Sequence, residues 1–212
     1  VFFNTMADYW AKIKDADKVL EILHKMKERK VIRSSVIYSI LIKLYSTLGN
    51  EDSAIKAYDE MKREGLKPTL ITYTAVMQMF IKNKKMDYAI NVFYEMRSND
   101  IAIDAVTYNF IINGCSFNKK LEKAIEILEI SFKDNVKLHE NTYNNVLEYL
   151  VANKFMRNNE RCHLAGQILK NLKERNISLK YEVYSKVMKM MYQSNSSQAV
   201  KEIENYTKFS SL

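Results

Sequence analysis

Aromatic residues stand at Phe3, Tyr38, Tyr73, Tyr108, Tyr143 and Tyr184, with gaps of 35 residues four times and then 41. Two more columns keep the step of 35. One is Met26, Met61 and Met96; the other is Val19, Ala54, Ala89 and Ala124. Three independent columns with one period restrict the chain to a repeat architecture, in which a short unit recurs and packs on its neighbours. Within one unit, Tyr73, Val76, Met77 and Phe80 follow the i, i+3, i+4, i+7 spacing of one helical face. Lys82-Asn83-Lys84-Lys85 interrupts it, and a second stripe runs through Met86, Ala89, Ile90, Phe93 and Met96. Arg97-Ser98-Asn99-Asp100 closes the unit. The spacing therefore predicts helix, turn, helix. Two such short helices cannot bury both faces alone, so the units must stack.

The period divides the chain into units 1–34, 35–69, 70–104, 105–139, 140–180 and 181–212, read as one array without an internal linker. The fifth unit carries about six extra residues, expected near Phe155–Arg161. In the sixth, a second helix is expected over Gln198–Lys208. The predicted class is all-α, an α-solenoid of about six helix-turn-helix repeats. Composition agrees. One proline and four glycines in 212 residues are too few for a turn-rich β architecture. Gly49-Asn50 suits a helix end, and Asp15, Asp52 and Asp87 sit where second helices begin.

No apolar run approaches the length of a membrane span. The net charge of +8 favours a polyanionic partner. Cys115 and Cys162 lie far apart, which fits a reducing compartment better than a disulfide framework. His24, His139 and His163 lack metal-ligand spacing, no triad is visible, and neither a metal nor a cofactor is expected. The opening Val1-Phe2-Phe3 has neither methionine nor the look of a transit peptide, so the sequence reads as a trimmed piece of a longer protein.

The openings VIYSILI (36–42), ITYTAVM (71–77) and VTYNFII (106–112) resemble those of pentatricopeptide repeats, as do the endings EMKREGLKPT (60–69) and EMRSNDIAID (95–104). The step of 35 separates them from the 34-residue tetratricopeptide unit. The resemblance implies a right-handed superhelix that binds single-stranded RNA, about one base per repeat. It makes the residue two before the aromatic a base clamp: Val1, Val36, Ile71 and Val106, all β-branched. Asn141 and Glu182 take that place in the last two units. The residue after the aromatic would read the base edge: Asn4, Ser39, Thr74, Asn109, Asn144 and Ser185. These small polar residues are not what a helix interior prefers. The second reader would be the last residue of each unit: Ser34, Thr69, Asp104, His139 and Lys180.

Asn4 with Ser34 resembles a pyrimidine reader, and Thr74 with Asp104 a guanine reader. Ser39 with Thr69 points to a purine, Asn109 with His139 to a pyrimidine, and Asn144 with Lys180 to no known pairing. Lys12 and Lys82 occupy the family's phosphate-contacting position. The implied function is non-catalytic capture of an organellar transcript, in a mitochondrion or alternatively a plastid, together with other proteins of a ribonucleoprotein complex. Three other roles stay open. The chain suits a structural subunit of an organellar ribosome contacting rRNA, the substrate-gripping part of a protein-only tRNA-processing nuclease, or a scaffold for proteins. The polar column alone also fits helix capping.

Overall fold

The computed structural model describes residues 2–194. Val1 and the helix expected over Gln198–Lys208 lie outside the described residues. Eleven α-helices are present among them: α1 (Phe2–Ile13), α2 (Ala16–Glu28), α3 (Ser35–Leu48), α4 (Glu51–Arg63), α5 (Leu70–Lys82), α6 (Met86–Ser98), α7 (Ala105–Phe117), α8 (Leu121–Lys133), α9 (Glu140–Ala152), α10 (Asn158–Glu174) and α11 (Tyr181–Gln193). The fold is all-α, built as an α-solenoid from helical hairpins. Two compact units divide between Ile103 and Asp104. In the first, α1, α3 and α5 stack in order, with α2, α4 and α6 packed against them as hairpin partners. In the second, α7, α9 and α11 stack, and α8 and α10 are the partners.

Where nine of the eleven described helices stop is set by one backbone device. Among the described residues, nine adopt left-handed φ between 53° and 75°. Lys14, Gly49, Lys84 and Lys119 close first helices; Lys30, Gly65, Asp100, Asn135 and Asn176 close second helices. After each second helix the next N–H reaches back five residues. Val31 bonds the Met26 carbonyl at 2.9 Å, Leu66 bonds Met61 at 3.0 Å, Ile101 bonds Met96 at 3.3 Å, Val136 bonds Ser131 at 3.0 Å and Ile177 bonds Leu172 at 3.0 Å. This is the Schellman closure, which satisfies carbonyls that a helix end leaves open. The methionine column is therefore the position whose carbonyl receives the closing bond, and its side chains are buried.

Asp15 and Asn50 serve both sides of the intra-hairpin turn. Each follows a left-handed residue, and each side chain then caps the next helix, accepting from Lys18 N–H at 3.0 Å and from Ser53 N–H at 3.1 Å. Asp52 and Asp87 lie in the first turns of α4 and α6, where the helix dipole favours a carboxylate.

The tyrosine column ties each first helix to the end of its partner. Tyr38, Tyr73, Tyr108 and Tyr143 are fully buried. Tyr38 Oη donates to Glu64 at 2.8 Å, Asn99 Nδ2 donates to Tyr73 Oη at 3.0 Å, and Tyr108 Oη donates to Asp134. Glu64, Asn99 and Asp134 are the C-cap residues of α4, α6 and α8. In the first hairpin Phe3 has no hydroxyl; the Arg29 guanidinium, again at the C-cap, sits 5.9 Å from its ring centroid. Tyr143 differs, accepting from Leu138 N–H at 3.0 Å. Burial pushes the phenol pKa of Tyr38, Tyr73 and Tyr143 up, so all three stay protonated and neutral at physiological pH. Val19, Ala54, Ala89 and Ala124 are buried without exposure, as is Ala165 in the longer fifth hairpin. Small side chains there let two helices approach.

The extra length of the fifth hairpin falls on its inner connection. α10 has 17 residues where α4, α6 and α8 have 13, and it starts after a longer turn. Asn153 ends α9 without a left-handed residue; its Oδ1 instead accepts from Phe155 N–H at 3.0 Å and Met156 N–H at 3.3 Å. The outer connection, 175–180, keeps the six-residue length of 29–34, 64–69, 99–104 and 134–139. The insertion thus leaves the junction between successive hairpins unchanged.

Two outcomes test this account. Lys84→Gly and Lys119→Gly each remove a Cβ from a left-handed turn and stabilise the protein by about 1 kcal/mol. In thermal melts this reads as a rise of about 2–4 °C per substitution. Tyr38→Phe deletes the bond to the α4 C-cap and costs about 1–2 kcal/mol, seen as a lower urea midpoint at constant m-value.

Candidate nucleic-acid interface

The five predicted second readers share one structural position. Ser34, Thr69, Asp104, His139 and Lys180 are the N-cap residues of α3, α5, α7, α9 and α11. Thr69 forms a capping box with Thr72; Asp104 accepts from Thr107 N–H at 2.8 Å; His139 Nδ1 accepts from Asn141 N–H at 3.2 Å. Ser34 and Lys180 make no side-chain cap bond. Helix initiation therefore accounts for the residue types at Thr69 and Asp104. It does not account for Lys180.

Four of the predicted first readers, Asn4, Ser39, Asn109 and Asn144, face the junction with the following hairpin. Asn4 Nδ2 lies 3.4 Å from Ser34 Oγ. Ser39 Oγ donates to the Ser35 carbonyl at 2.9 Å and lies 2.7 Å from Thr72 Oγ1. Thr74 Oγ1 donates to the Leu70 carbonyl at 2.7 Å. Asn109 Oδ1 accepts from His139 N–H at 3.2 Å and from Thr142 Oγ1 at 2.7 Å. Asn144 Oδ1 accepts from Lys180 N–H at 3.1 Å, while its Nδ2 donates to the Glu140 carbonyl at 3.1 Å. Asn4, Ser39, Asn109 and Asn144 thus have a structural use that the sequence alone did not reveal: they pair with the start of the next first helix. Access differs along it. Asn4, Thr74 and Asn109 are half-buried and Ser185 is exposed, whereas Ser39 is 8% and Asn144 3% exposed. Asn144 is closed to a ligand.

The apolar residues assigned as clamps are out in solvent. Val36 is 49%, Ile71 62% and Val106 56% exposed, although the next residues, Ile37, Thr72 and Thr107, are buried. Val1 lies outside the described residues. An exposed β-branched residue at the same place on α3, α5 and α7 is not explained by packing. Asn141 and Glu182 are also exposed.

In the first compact unit these columns line one groove of about 710 Å³. Its wall brings together Asn4, Lys12, Val36, Ser39, Thr69 and Ile71. Lys12 stands in the last turn of α1 and pairs with Asp8 at 2.6 Å, so its charge is partly answered within the wall. Lys14 and Lys43 also line the groove, and neither has an ion-pair partner among the described residues. Neither was found from the sequence. Lys43 lies four residues after Ser39 on the same helical face, but Asp8, Gln78 and Asn113 take its place in other units, so no column marks it. Lys82 is exposed in the last turn of α5, where a cation also suits the helix dipole.

In the second unit the same face is rich in amides. Asn113 Nδ2 donates to Thr142 Oγ1 at 3.3 Å, and Asn145 Nδ2 donates to Asn113 Oδ1 at 3.0 Å. Val106 and Phe110 stand exposed on α7. Among the described residues no three His, Cys, Asp or Glu side chains converge as a metal site, and no helix is long and apolar enough to cross a membrane.

Comparison with known proteins places this arrangement in a family. A signature described as the PPR repeat family matches residues 68–116; one described as a pentatricopeptide repeat domain matches 1–47 and 22–83; one described as a PPR repeat matches 106–135. No curated protein matches the sequence. Among solved structures, the pentatricopeptide repeat protein PPR10 from maize superposes with a TM-score of 0.73 at 20% identity over 96% of this chain. The chain spans only 30% of that protein. The PPR domain of Arabidopsis thaliana protein-only RNase P 1, solved in complex with tRNA, gives 0.70 at 14% identity, with 88% of this chain and 95% of that one covered. Nuclear proteinaceous RNase P 2 from A. thaliana gives 0.69 at 18% identity over 90% of this chain and 41% of its own. By its hairpin fold, its repeat signatures and its 35-residue step, the chain belongs to the pentatricopeptide repeat family.

Proposed function

We propose that this chain is a single-stranded RNA-binding module that holds its ligand without chemistry of its own in this stretch. The observation that carries the reading is the exposed column Val36, Ile71 and Val106, set beside small polar side chains and, in the first unit, inside a groove with unpaired lysines. An apolar residue next to a hydrogen-bonding one is what a base needs: a surface for its face and a partner for its edge. The net charge of +8 suits a phosphate backbone. Two relatives by fold carry RNA in their structures, maize PPR10 with an 18-nt psaJ RNA element and the protein-only RNase P 1 domain with tRNA.

The side chains present favour a ligand running pyrimidine, purine, guanine, pyrimidine from its 5′ end. A carboxylate such as Asp104 accepts from the N1–H and N2–H₂ of guanine. The fifth and sixth repeats lack an apolar clamp, and Asn144 is closed, so sequence reading is confined to the first four. That restriction favours, as a second reading, a component of an organellar ribosome that packs on rRNA with little sequence preference. Residence in a mitochondrion, alternatively a plastid, is part of the same proposal.

Two measurements test it. Val36→Asp with Ile71→Asp weakens binding of a short single-stranded RNA by at least about tenfold. The melting temperature stays nearly constant, because both residues are exposed. Unchanged affinity, or no binding of any single-stranded RNA at low salt, overturns the reading. Lys43→Gln lowers the slope of log affinity against log salt by about 0.7, the loss of one phosphate contact to a single strand.

A further inference from the structure

We propose that Thr72 and Thr142, buried residues that no RNA touches, are positioning residues that set the hydrogen-bond polarity of the reading sites at Ser39 and Asn109 in opposite senses. The inference rests on the RNA-reading function above. Both threonines stand 33 residues after the reader they meet and near the start of the next first helix. Their exposures are 0% and 1%.

Around Asn109 every acceptor is occupied. The His139 N–H is an obligate donor, so the atom 3.2 Å away must be the amide oxygen of Asn109, not its nitrogen. Thr142 Oγ1 donates to the same oxygen at 2.7 Å and itself accepts from Asn113 Nδ2 at 3.3 Å. Asn109 Nδ2 has no protein partner among the described residues and the side chain is only half-buried. The site therefore offers two N–H donors and no acceptor. On the Watson–Crick edge, cytosine sets two acceptors, N3 and O2, side by side, whereas adenine and guanine put a donor beside theirs.

Around Ser39 the opposite holds. A hydroxyl has one proton, and that of Ser39 goes to the Ser35 carbonyl at 2.9 Å. In the 2.7 Å contact with Thr72 Oγ1, Ser39 must then accept, and Thr72 donates. Thr72 has no second proton, so in its 3.2 Å contact with Thr69 Oγ1 it accepts from Thr69. The relay Thr69 to Thr72 to Ser39 to Ser35 fixes all three hydroxyl protons inward. What faces the groove from Ser39 and Thr69 is lone pairs alone, which suits an edge that donates, such as the N1–H and N2–H₂ of guanine or the N6–H₂ of adenine.

The test uses the whole 212-residue chain and short RNAs that differ only at the nucleotide meeting Asn109. Wild-type protein favours cytosine over either purine there by about tenfold. Thr142→Val keeps the buried shape and removes the hydroxyl. It cuts the preference to about twofold while affinity for the cytosine RNA falls little; Thr142→Ser restores it. Thr142→Ala repeats the measurement should valine disturb packing. The second readout needs no RNA: the Asn109 side-chain amide signals, held and resolved in the wild type by NMR, shift and lose order in Thr142→Val. An unchanged amide overturns the positioning role, and so does a variant that loses affinity equally for all bases. If wild-type protein binds RNA without preference at that nucleotide while the amide is held, base reading there fails and the positioning of Asn109 stands. If it binds no single-stranded RNA, the proposed function fails and the amide signals still decide the role of Thr142.

Discussion

The fold depends on where each helix is made to stop. A helix of this length carries no information about its own end, and an overrun of one residue would rotate everything after it by about a quarter turn. Left-handed residues at Lys14, Gly49, Lys84 and Lys119, and at Lys30, Gly65, Asp100, Asn135 and Asn176, fix those ends. With the ends fixed, the tyrosine of each first helix meets the C-cap of its partner, and the buried alanines fall where the hairpin helices touch. The five outer connections all have the same six-residue length. The period of 35 is the sum of these local requirements.

This explains how much of the fold was readable from the sequence. Positions whose side chains are sterically restricted, such as the buried tyrosines and Ala54, Ala89 and Ala124, form clean columns. The left-handed positions form a column equally regular in φ but not in residue type. Lysine stands at four of the nine, so glycine and asparagine signals revealed only some of the helix ends. The insertion was legible from the gap of 41 and the polar run after Phe155; that part of it extends α10 was not, because Asn158-Asn159-Glu160-Arg161 lacks an apolar stripe.

The interface was legible in a different way. The exposed apolar column was visible because Val36, Ile71 and Val106 are chemically alike. The polar columns were visible as well, but the sequence could not separate a group that faces a ligand from one that serves the junction between hairpins. In the structure Asn4, Ser39, Asn109 and Asn144 serve that junction. Asn109 and Ser39 bond into the next helix start, and Asn144, with the same residue type as Asn109, is buried. Lys43 was invisible because single cations on a helical face leave no pattern.

The N-cap column has a consequence for how such an array can change. Ser34, Thr69, Asp104 and His139 sit where a helix must begin, and the proposed recognition uses the same side chains. Under the proposed function, rewriting the preferred RNA through this column favours residues that also start a helix well, chiefly serine, threonine, asparagine and aspartate. Under the same proposal, change of target would proceed in a small vocabulary dictated by the backbone, and Lys180, an N-cap without a side-chain cap bond, stands outside that vocabulary.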